Sequence, residues 1–298
     1  MPEEGIQLRD RKEFMTQEET LQLAKTFVDL GVTKIRLTGG EPLIKKNFRE
    51  LLHKLSKLPV ELAITTNGIL LDTYFDALER AGLKSLNISL DSLIADKSNR
   101  ITRRTYFDRI QQNIEEALTR NFQVKLNCVL MKGENDDEII DFIELTKDKN
   151  LGIRFIEFMP FDGNQWDWSR TVSYKSILDK VNAHYGEARL EKALEGLNST
   201  SRNFRIKNYA GDFGIISSVT NPFCDTCNRI RLTADGKIKN CLFSENETDL
   251  LTALRNGENV VPMIQQSIFT KQKERAGLKE FDAPDFSFAN RSMIRIGG

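Results

Sequence analysis

Strand and helix patterns alternate along the first half of the chain with no tight hairpin between them, and this restricts the fold more than any other feature. Thr16-Gln-Glu-Glu19 is a capping box, after which Leu21, Ala24, Phe27, Val28 and Leu30 recur at helical spacing until Gly31. Residues 33–38 (TKIRLT) read as a strand ending at Gly39-Gly40-Glu41-Pro42. A helix follows with Phe48, Leu51, Leu52, Leu55 and Leu58 on one face, stopped by Pro59. The spacing then predicts strands at 60–65, 84–90, 123–131 and 152–158, separated by helices at about 72–81, 105–120 and 136–149. Each helix is long enough to cross over between parallel strands, so repeated β-α units are expected, with functional loops after the carboxyl ends of the strands. The first recognisable element is a helix. Either the series lacks its opening strand or the domain begins with that helix.

After a helix at about 173–185 the texture changes to short segments, FRIKNY and FGIISSV, set among Asn, Ser and Gly. A cysteine group and helical stretches at about 246–256 and 259–275 follow. Two units are therefore expected, 1–185 and 186–298. The 43 basic residues balance the 43 acidic ones. That balance argues against a general nucleic-acid binder, while leaving room for a local basic pocket. No apolar run approaches the ~20 residues of a membrane span, and MPEEGIQLRDRKEF has no hydrophobic signal region. Four cysteines, with Cys128 apart from Cys224, Cys227 and Cys241, do not make a disulfide scaffold, and an intracellular protein is expected.

Cys224-Asp-Thr-Cys227 places two thiols close together, and the Asp235-Gly236 turn between RIRLT and KIKNC predicts a hairpin that returns Cys241 to them. Structural zinc normally takes four ligands. His53 and His184 have no finger-like spacing to the cysteines, and Asp225 or Asp235 would have to supply an oxygen. Three thiolates without an obvious fourth ligand suit an iron–sulfur cube with one open iron. Zinc, reduced core thiols and a Cys224–Cys227 disulfide are the alternatives. Arg229 and Arg231 lie on one side of the following strand, as an anion clamp or as ordinary surface charges.

Polar residues recur in the apolar strands. Gly39-Gly40-Glu41-Pro42 and Thr65-Thr66-Asn67-Gly68 each follow a strand. Asn87-Ile-Ser-Leu-Asp91 alternates polar with apolar, Lys125 and Asn127 share a strand face, Arg154 opens the next strand, and Met159 closes it. Such residues need partners or a cavity. A polar barrel interior that holds a ligand accounts for them, and a salt-bridged core is the competing account.

KIRLTGGEPL, TTNGILL, LNISLD, KLNCVLMKGENDDEI, IRFIEFMPFDGN, CDTCNRIRLTADGKIKNCLF and the terminal Gly297-Gly298 resemble the molybdenum cofactor biosynthesis protein A family, the radical S-adenosylmethionine GTP 3',8-cyclases. The wording is nearest the eukaryotic branch, and the resemblance covers essentially the whole chain. It implies an α/β fold, an incomplete (β/α)6 TIM-like barrel with a C-terminal iron–sulfur domain that closes the GTP site. It implies conversion of GTP to 3',8-cyclo-7,8-dihydro-GTP by a 5'-deoxyadenosyl radical, with no general base.

Residue by residue, the resemblance implies that Gly39, Gly40, Glu41, Ser89, Asn127 and Met159 bind S-adenosylmethionine. Arg36, Thr65, Lys125, Arg229 and Arg231 lie near GTP, with Arg154 a further candidate. Cys224, Cys227 and Cys241 hold an auxiliary 4Fe–4S cluster, and Gly297 and Gly298 form an active-site tail, although terminal glycines also suit any loose chain end. The implied partners are GTP, a reducing electron donor and the next enzyme of molybdopterin biosynthesis. A homodimer is admitted, and neither nucleic acid nor a membrane span is implied. The implied compartment is the mitochondrial matrix for a eukaryotic source and the cytoplasm for a bacterial one.

One departure stands out. The family opens with a strand and a Cys-x3-Cys-x2-Cys loop just ahead of Met-Pro. This sequence begins at Met1-Pro2, so the loop that holds the radical-generating 4Fe–4S cluster is not retained. The chain is expected to be incomplete at its amino terminus and inactive alone. The alternatives are a shortened, noncatalytic iron–sulfur homologue that binds nucleotide or assists assembly, and a zinc-stabilised ligand binder.

Overall fold

The computed structural model describes residues 9–161, 164, 166–193, 196, 198–278, 291 and 293–296. One eight-stranded sheet organises most of them, in the order β1-β2-β3-β4-β5-β8-β7-β6. Its strands are β1 (Lys34–Leu37), β2 (Glu61–Thr66), β3 (Ser85–Ser89), β4 (Gln123–Leu130), β5 (Gly152–Glu157), β6 (Leu190–Lys192), β7 (Arg202–Ile206) and β8 (Asp212–Ile216). β1 to β5 and then β8 pair in parallel. β7 and β6 extend that sheet antiparallel. The expected α/β architecture is present. The sheet runs through residue 185, because β8 joins β5 as a further parallel strand.

The helices are α1 (Gln17–Asp29), α2 (Phe48–Leu55), α3 (Leu71–Arg80), α4 (Ala95–Thr102), α5 (Phe107–Thr119), α6 (Ile139–Glu144) and α7 (Tyr174–Tyr185). Thr16 and Glu19 cap α1 reciprocally, as their spacing predicts. The apolar faces of α2, α3, α5, α6 and α7 share one core with Leu62, Ile64, Leu86, Ile88, Leu126, Ile153, Phe155 and Phe213 of the strands. In a strand, alternate residues face opposite sides. Helices therefore cover one face of the sheet, and the other face carries the polar residues of the same strands.

One helix ends earlier than expected, and another was not expected at all. α6 ends at Glu144 rather than near 149, and the buried Thr146 hydroxyl donates to the Ile143 carbonyl at 2.8 Å beyond that end. α4 had no sequence signal, because its only buried residue is Ser98 and it offers no apolar stripe.

Beyond the large sheet, β9 (Arg231–Leu232), β10 (Lys237–Lys239) and β11 (Thr248–Asp249) form a small antiparallel sheet, followed by α8 (Leu250–Arg255) and α9 (Val261–Phe269). α8 is shorter than the 246–256 stretch predicted, since Asp249 leaves β11 to cap it. Ile238, Leu250, Ala253, Val260 and Ile264 pack on Leu23 and Phe27 of α1, so this unit is anchored on the helix that precedes β1.

Candidate active site

The uncovered face of the sheet is an ordered array. Thr65, Asn87, Lys125, Gly152 and Asp212 stand in register from β2 to β8. One step nearer the carboxyl ends, Ser89, Asn127, Arg154 and Gly214 form a second row. Arg36 pairs in register with Ala63, two residues before Thr65, and so shares their face.

Gly214 makes the second row possible. A side chain there would collide with Ser201 and Asn203 and crowd Arg154. Arg154 is buried, and its guanidinium donates to Asp212 Oδ1 at 2.7 Å and to the Ile153 carbonyl at 2.8 Å. Lys125 has no hydrogen bond or ion pair among the described residues. Burial and the like charges of Arg154, Arg36 and Lys34 hold its ammonium below the ordinary lysine range, against the opposing pull of Asp212. The oxygens Asn87 Oδ1 and Asn127 Oδ1 are buried without a partner. Buried polar atoms are rarely left unmatched, and two on one face suit a ligand.

At the rim, Gly39 has φ 140°, a conformation reserved in practice for glycine, and it turns the chain out of β1. Glu41 spans to the exit of β2. Its Oε1 accepts from Leu43 N (3.1 Å) and Thr66 Oγ1 (2.8 Å), and its Oε2 from Asn67 N (2.7 Å). Thr66-Asn67-Gly68 is thus more than a turn, for it holds the carboxylate that shapes the Gly39-Gly40 loop. Asn113 of α5 fixes the turn from behind by donating to the Gly68 carbonyl at 2.7 Å.

Cys224, Cys227 and Cys241 are unpaired thiols, each partly exposed. Their electrostatic influence on one another puts them in one neighbourhood, and burial followed by the negative charges of Cys241 and Cys227 raises Cys224. The hairpin at Asp235-Gly236 forms as predicted, with β9 and β10 antiparallel. Asp235 itself binds Arg9 (3.0 Å) and Arg291 (2.9 Å) and is not a partner of the thiols. His53 and His184 lie exposed on α2 and α7. Among the described residues no three cysteine, histidine or carboxylate groups converge as ligands of a metal ion.

Arg229 and Arg231 lie near the thiols. Arg231 faces Cys241 and Cys227. Arg229 stands near enough to Arg36 for burial and their mutual repulsion to lower Arg36. Met159, at the exit of β5, packs with Cys241, Val219 and Phe243. Gly297 and Gly298 lie outside the described residues.

Three residues of this region carry no assignment from sequence. Asn87 had only its alternation with apolar neighbours to mark it. Glu157 is buried and accepts from Val219 N (2.7 Å) and Thr220 N (3.1 Å), fixing the approach to Cys224. Lys271 reaches Cys227 from the end of α9.

Residues 3–146 match the Radical SAM superfamily and residues 151–277 match Molybdenum Cofactor Synthesis C. The crystal structure of Streptococcus suis SuiB bound to S-adenosylmethionine superposes with a TM-score of 0.54 at 15% identity, covering 84% of this chain and 60% of that one. The fold is that of a radical SAM protein, an open barrel of parallel strands. A mitochondrial GTP 3',8-cyclase of Arabidopsis thaliana is 43% identical across 100% of this chain and 76% of its own length. Molybdenum cofactor biosynthesis protein 1 of Dictyostelium discoideum is 42% identical across 100% of this chain and 48% of its own length. The chain belongs to the molybdenum cofactor biosynthesis protein A family of GTP 3',8-cyclases. It spans about half the length of several of the curated relatives it matches.

Membership in the superfamily implies a 4Fe–4S cluster and S-adenosylmethionine. The inner face fits S-adenosylmethionine, since Asn127 Oδ1 is a buried acceptor without a donor and lies in register with Ser89. The radical-generating cluster finds no ligand set in the 298 residues. Apart from the group at 224–241, the sequence has only Cys128, which is fully buried on the helix-covered face. Among the described residues no helix is long and apolar enough to cross a membrane.

Proposed function

We propose that the protein is a GTP 3',8-cyclase of molybdenum cofactor biosynthesis, with GTP bound against the uncovered face of the sheet. One observation carries this reading: Arg36, Lys125 and Arg229 gather at that face without an ion-pair partner among the described residues, while Asp212 is already engaged by Arg154. A triphosphate supplies the missing negative charge, and guanidinium groups suit its paired oxygens. Arg36, Lys125, Arg229 and Arg231 neutralise the phosphates. Thr65 lies beside them, and Arg154, held by Asp212, forms a fixed part of the wall.

Gly39, Gly40, Glu41, Ser89, Asn127 and Met159 hold S-adenosylmethionine, which when bound supplies the 5'-deoxyadenosyl radical chemistry of the family. The chain's own residues bind GTP, set its ribose toward that cofactor and exclude water. Cys224, Cys227 and Cys241 hold an auxiliary 4Fe–4S cluster, as their donor chemistry allows. With three protein thiolates, such a cluster would supply one iron open to a ligand atom. In this scheme residues 1–185 supply most of the cofactor wall, and 186–298 supply the thiols and close the GTP site. A reducing donor and the enzyme that next takes the cyclised product complete its partners. The mitochondrial matrix is the compartment for a eukaryotic source.

The test is anaerobic incubation of the protein, expressed from its native gene and reconstituted with iron and sulfide, with S-adenosylmethionine, dithionite and GTP. Chromatography with mass detection should show 5'-deoxyadenosine and 3',8-cyclo-7,8-dihydro-GTP together. 5'-Deoxyadenosine without cyclised GTP would overturn the substrate assignment.

A further inference from the structure

We propose that Lys271 is a positioning residue for the three-cysteine site, tying the sulfur of Cys227 to the main chain that carries Arg229. The inference rests on the reading of Cys224, Cys227 and Cys241 as cluster ligands, and it adds to that reading what holds the ligands in place and sets the charge around them.

Lys271 follows the last turn of α9, and its Nζ lies 3.0 Å from the Cys227 carbonyl, 3.6 Å from Cys227 Sγ and 3.0 Å from the Arg229 carbonyl. All three donors of the ammonium are thereby aimed at one short stretch of chain. The same segment passes a second cysteine, with the Arg275 backbone near enough to Cys224 to oppose the rise that burial imposes on its thiol. Arg275, Ala276 and Gly277 adopt φ values of 40°, 57° and 87°, a left-handed run that side-chain-bearing residues rarely enter. Arg231 is a further cation near Cys227 and Cys241.

The two carbonyls at 3.0 Å bring the ammonium to this loop, and with a neutral thiol, a weak acceptor, its contact at 3.6 Å would be slight. A thiolate bound to iron is different. Three thiolates on a cube of charge 2+ leave a net charge of −1, and uptake of one electron makes it −2. A lysine ammonium directed at one of those sulfurs favours the reduced state over the oxidised one. Hydrogen bonds to sulfur and local charge are among the means by which a protein sets a cluster's potential. Lys271 also fixes the carbonyl of Arg229, so the cluster ligand and the proposed phosphate ligand are set by one side chain.

The experiment compares the full chain with Lys271→Met and Lys271→Arg after anaerobic reconstitution, with equal folding checked by circular dichroism. The readouts are the midpoint potential, from a dithionite titration followed by electron paramagnetic resonance, and the rate at which a chelator removes iron. Lys271→Met should lower the potential and speed iron loss by roughly tenfold or more. Lys271→Arg should stay close to wild type. If the methionine variant does not fold, Lys271→Gln decides by the same two readouts. A wild-type cluster whose potential and iron retention are unchanged by loss of the lysine charge overturns the inference alone. A wild-type chain that takes up zinc and no iron overturns the cluster reading, and the inference with it.

Discussion

Arg154 donates a 2.7 Å hydrogen bond to Asp212 across the junction of β5 with β8. That pair takes a buried guanidinium out of the set of cations left for a ligand. Gly152, in register with Asp212, leaves the room it needs, because a side chain there would come within 3.0 Å of Arg154 Nη1. Asp212→Asn should therefore act on stability first. Asp212 is 31% exposed, so solvent offsets part of the loss, and leaving the guanidinium without its charged partner costs roughly 1–3 kcal/mol. The urea midpoint should fall with an unchanged slope, and GTP affinity should change by only a few-fold. A variant as stable as wild type would show that Arg154 does not depend on this partner.

Glu41 joins the exits of β1 and β2 through three hydrogen bonds, from Leu43, Thr66 and Asn67. In Glu41→Gln one carboxylate oxygen becomes a donor facing donors, which costs about 1–3 kcal/mol. The Gly39-Gly40 loop loses its anchor, so S-adenosylmethionine affinity measured by calorimetry should drop along with stability. A stable variant with unchanged cofactor affinity would return Glu41 to the role of a simple turn residue.

Asp91 lies beyond β3 and accepts from Val129 N at 2.9 Å. Burial pushes its carboxyl up to about 6. A raised acid contributes stability that is complete below its unfolded value near 3.8 and is lost as pH rises through about 6. Between pH 4 and 7 the wild type should lose about 2–3 kcal/mol relative to Asp91→Asn, from ~1.4 kcal/mol per pKa unit. Denaturant midpoints of both proteins across that range check this. Parallel pH profiles would contradict it.

The 298-residue polypeptide should hold at most one 4Fe–4S cluster. Cys128 is fully buried among Leu126, Leu130 and the helices, and burial raises its thiol well above the ordinary range. Cys128→Ala should keep the full iron and sulfide content, whereas Cys227→Ala should lose it. Mössbauer spectra with chemical analysis of iron, sulfide and zinc decide. Two clusters per chain, or zinc in place of iron, would break the assignment of ligands.

The periodicity of the chain announces β1 to β5 and the helices between them, because strands buried on one face and crossover helices leave distinct apolar spacings. It does not announce that FGIISSV becomes β8. That segment pairs in parallel with β5 and antiparallel with β7, and a short apolar run carries no record of which partner it takes. Asp235-Gly236 made the return of Cys241 legible, since a tight turn is local chemistry. Lys271 was not legible. It meets Cys227 across 44 positions of chain, and a lysine after a helix reads as a solvated charge until the fold brings it to the sulfur. Arg154 reads as one more cation of the site, yet its pairing with Asp212 spans 58 positions.

GTP binding to the inner face is the claim on which the rest depends. Calorimetry on the cluster-loaded chain should compare GTP with ATP for wild type, Lys125→Met, Arg36→Ala and Arg229→Ala. Charge-assisted hydrogen bonds are worth roughly 1.5–3 kcal/mol each, so each substitution should weaken GTP binding by about tenfold or more without loss of fold, and ATP should bind more weakly than GTP to wild type. GTP binding that is equally tight in all three variants would contradict the account.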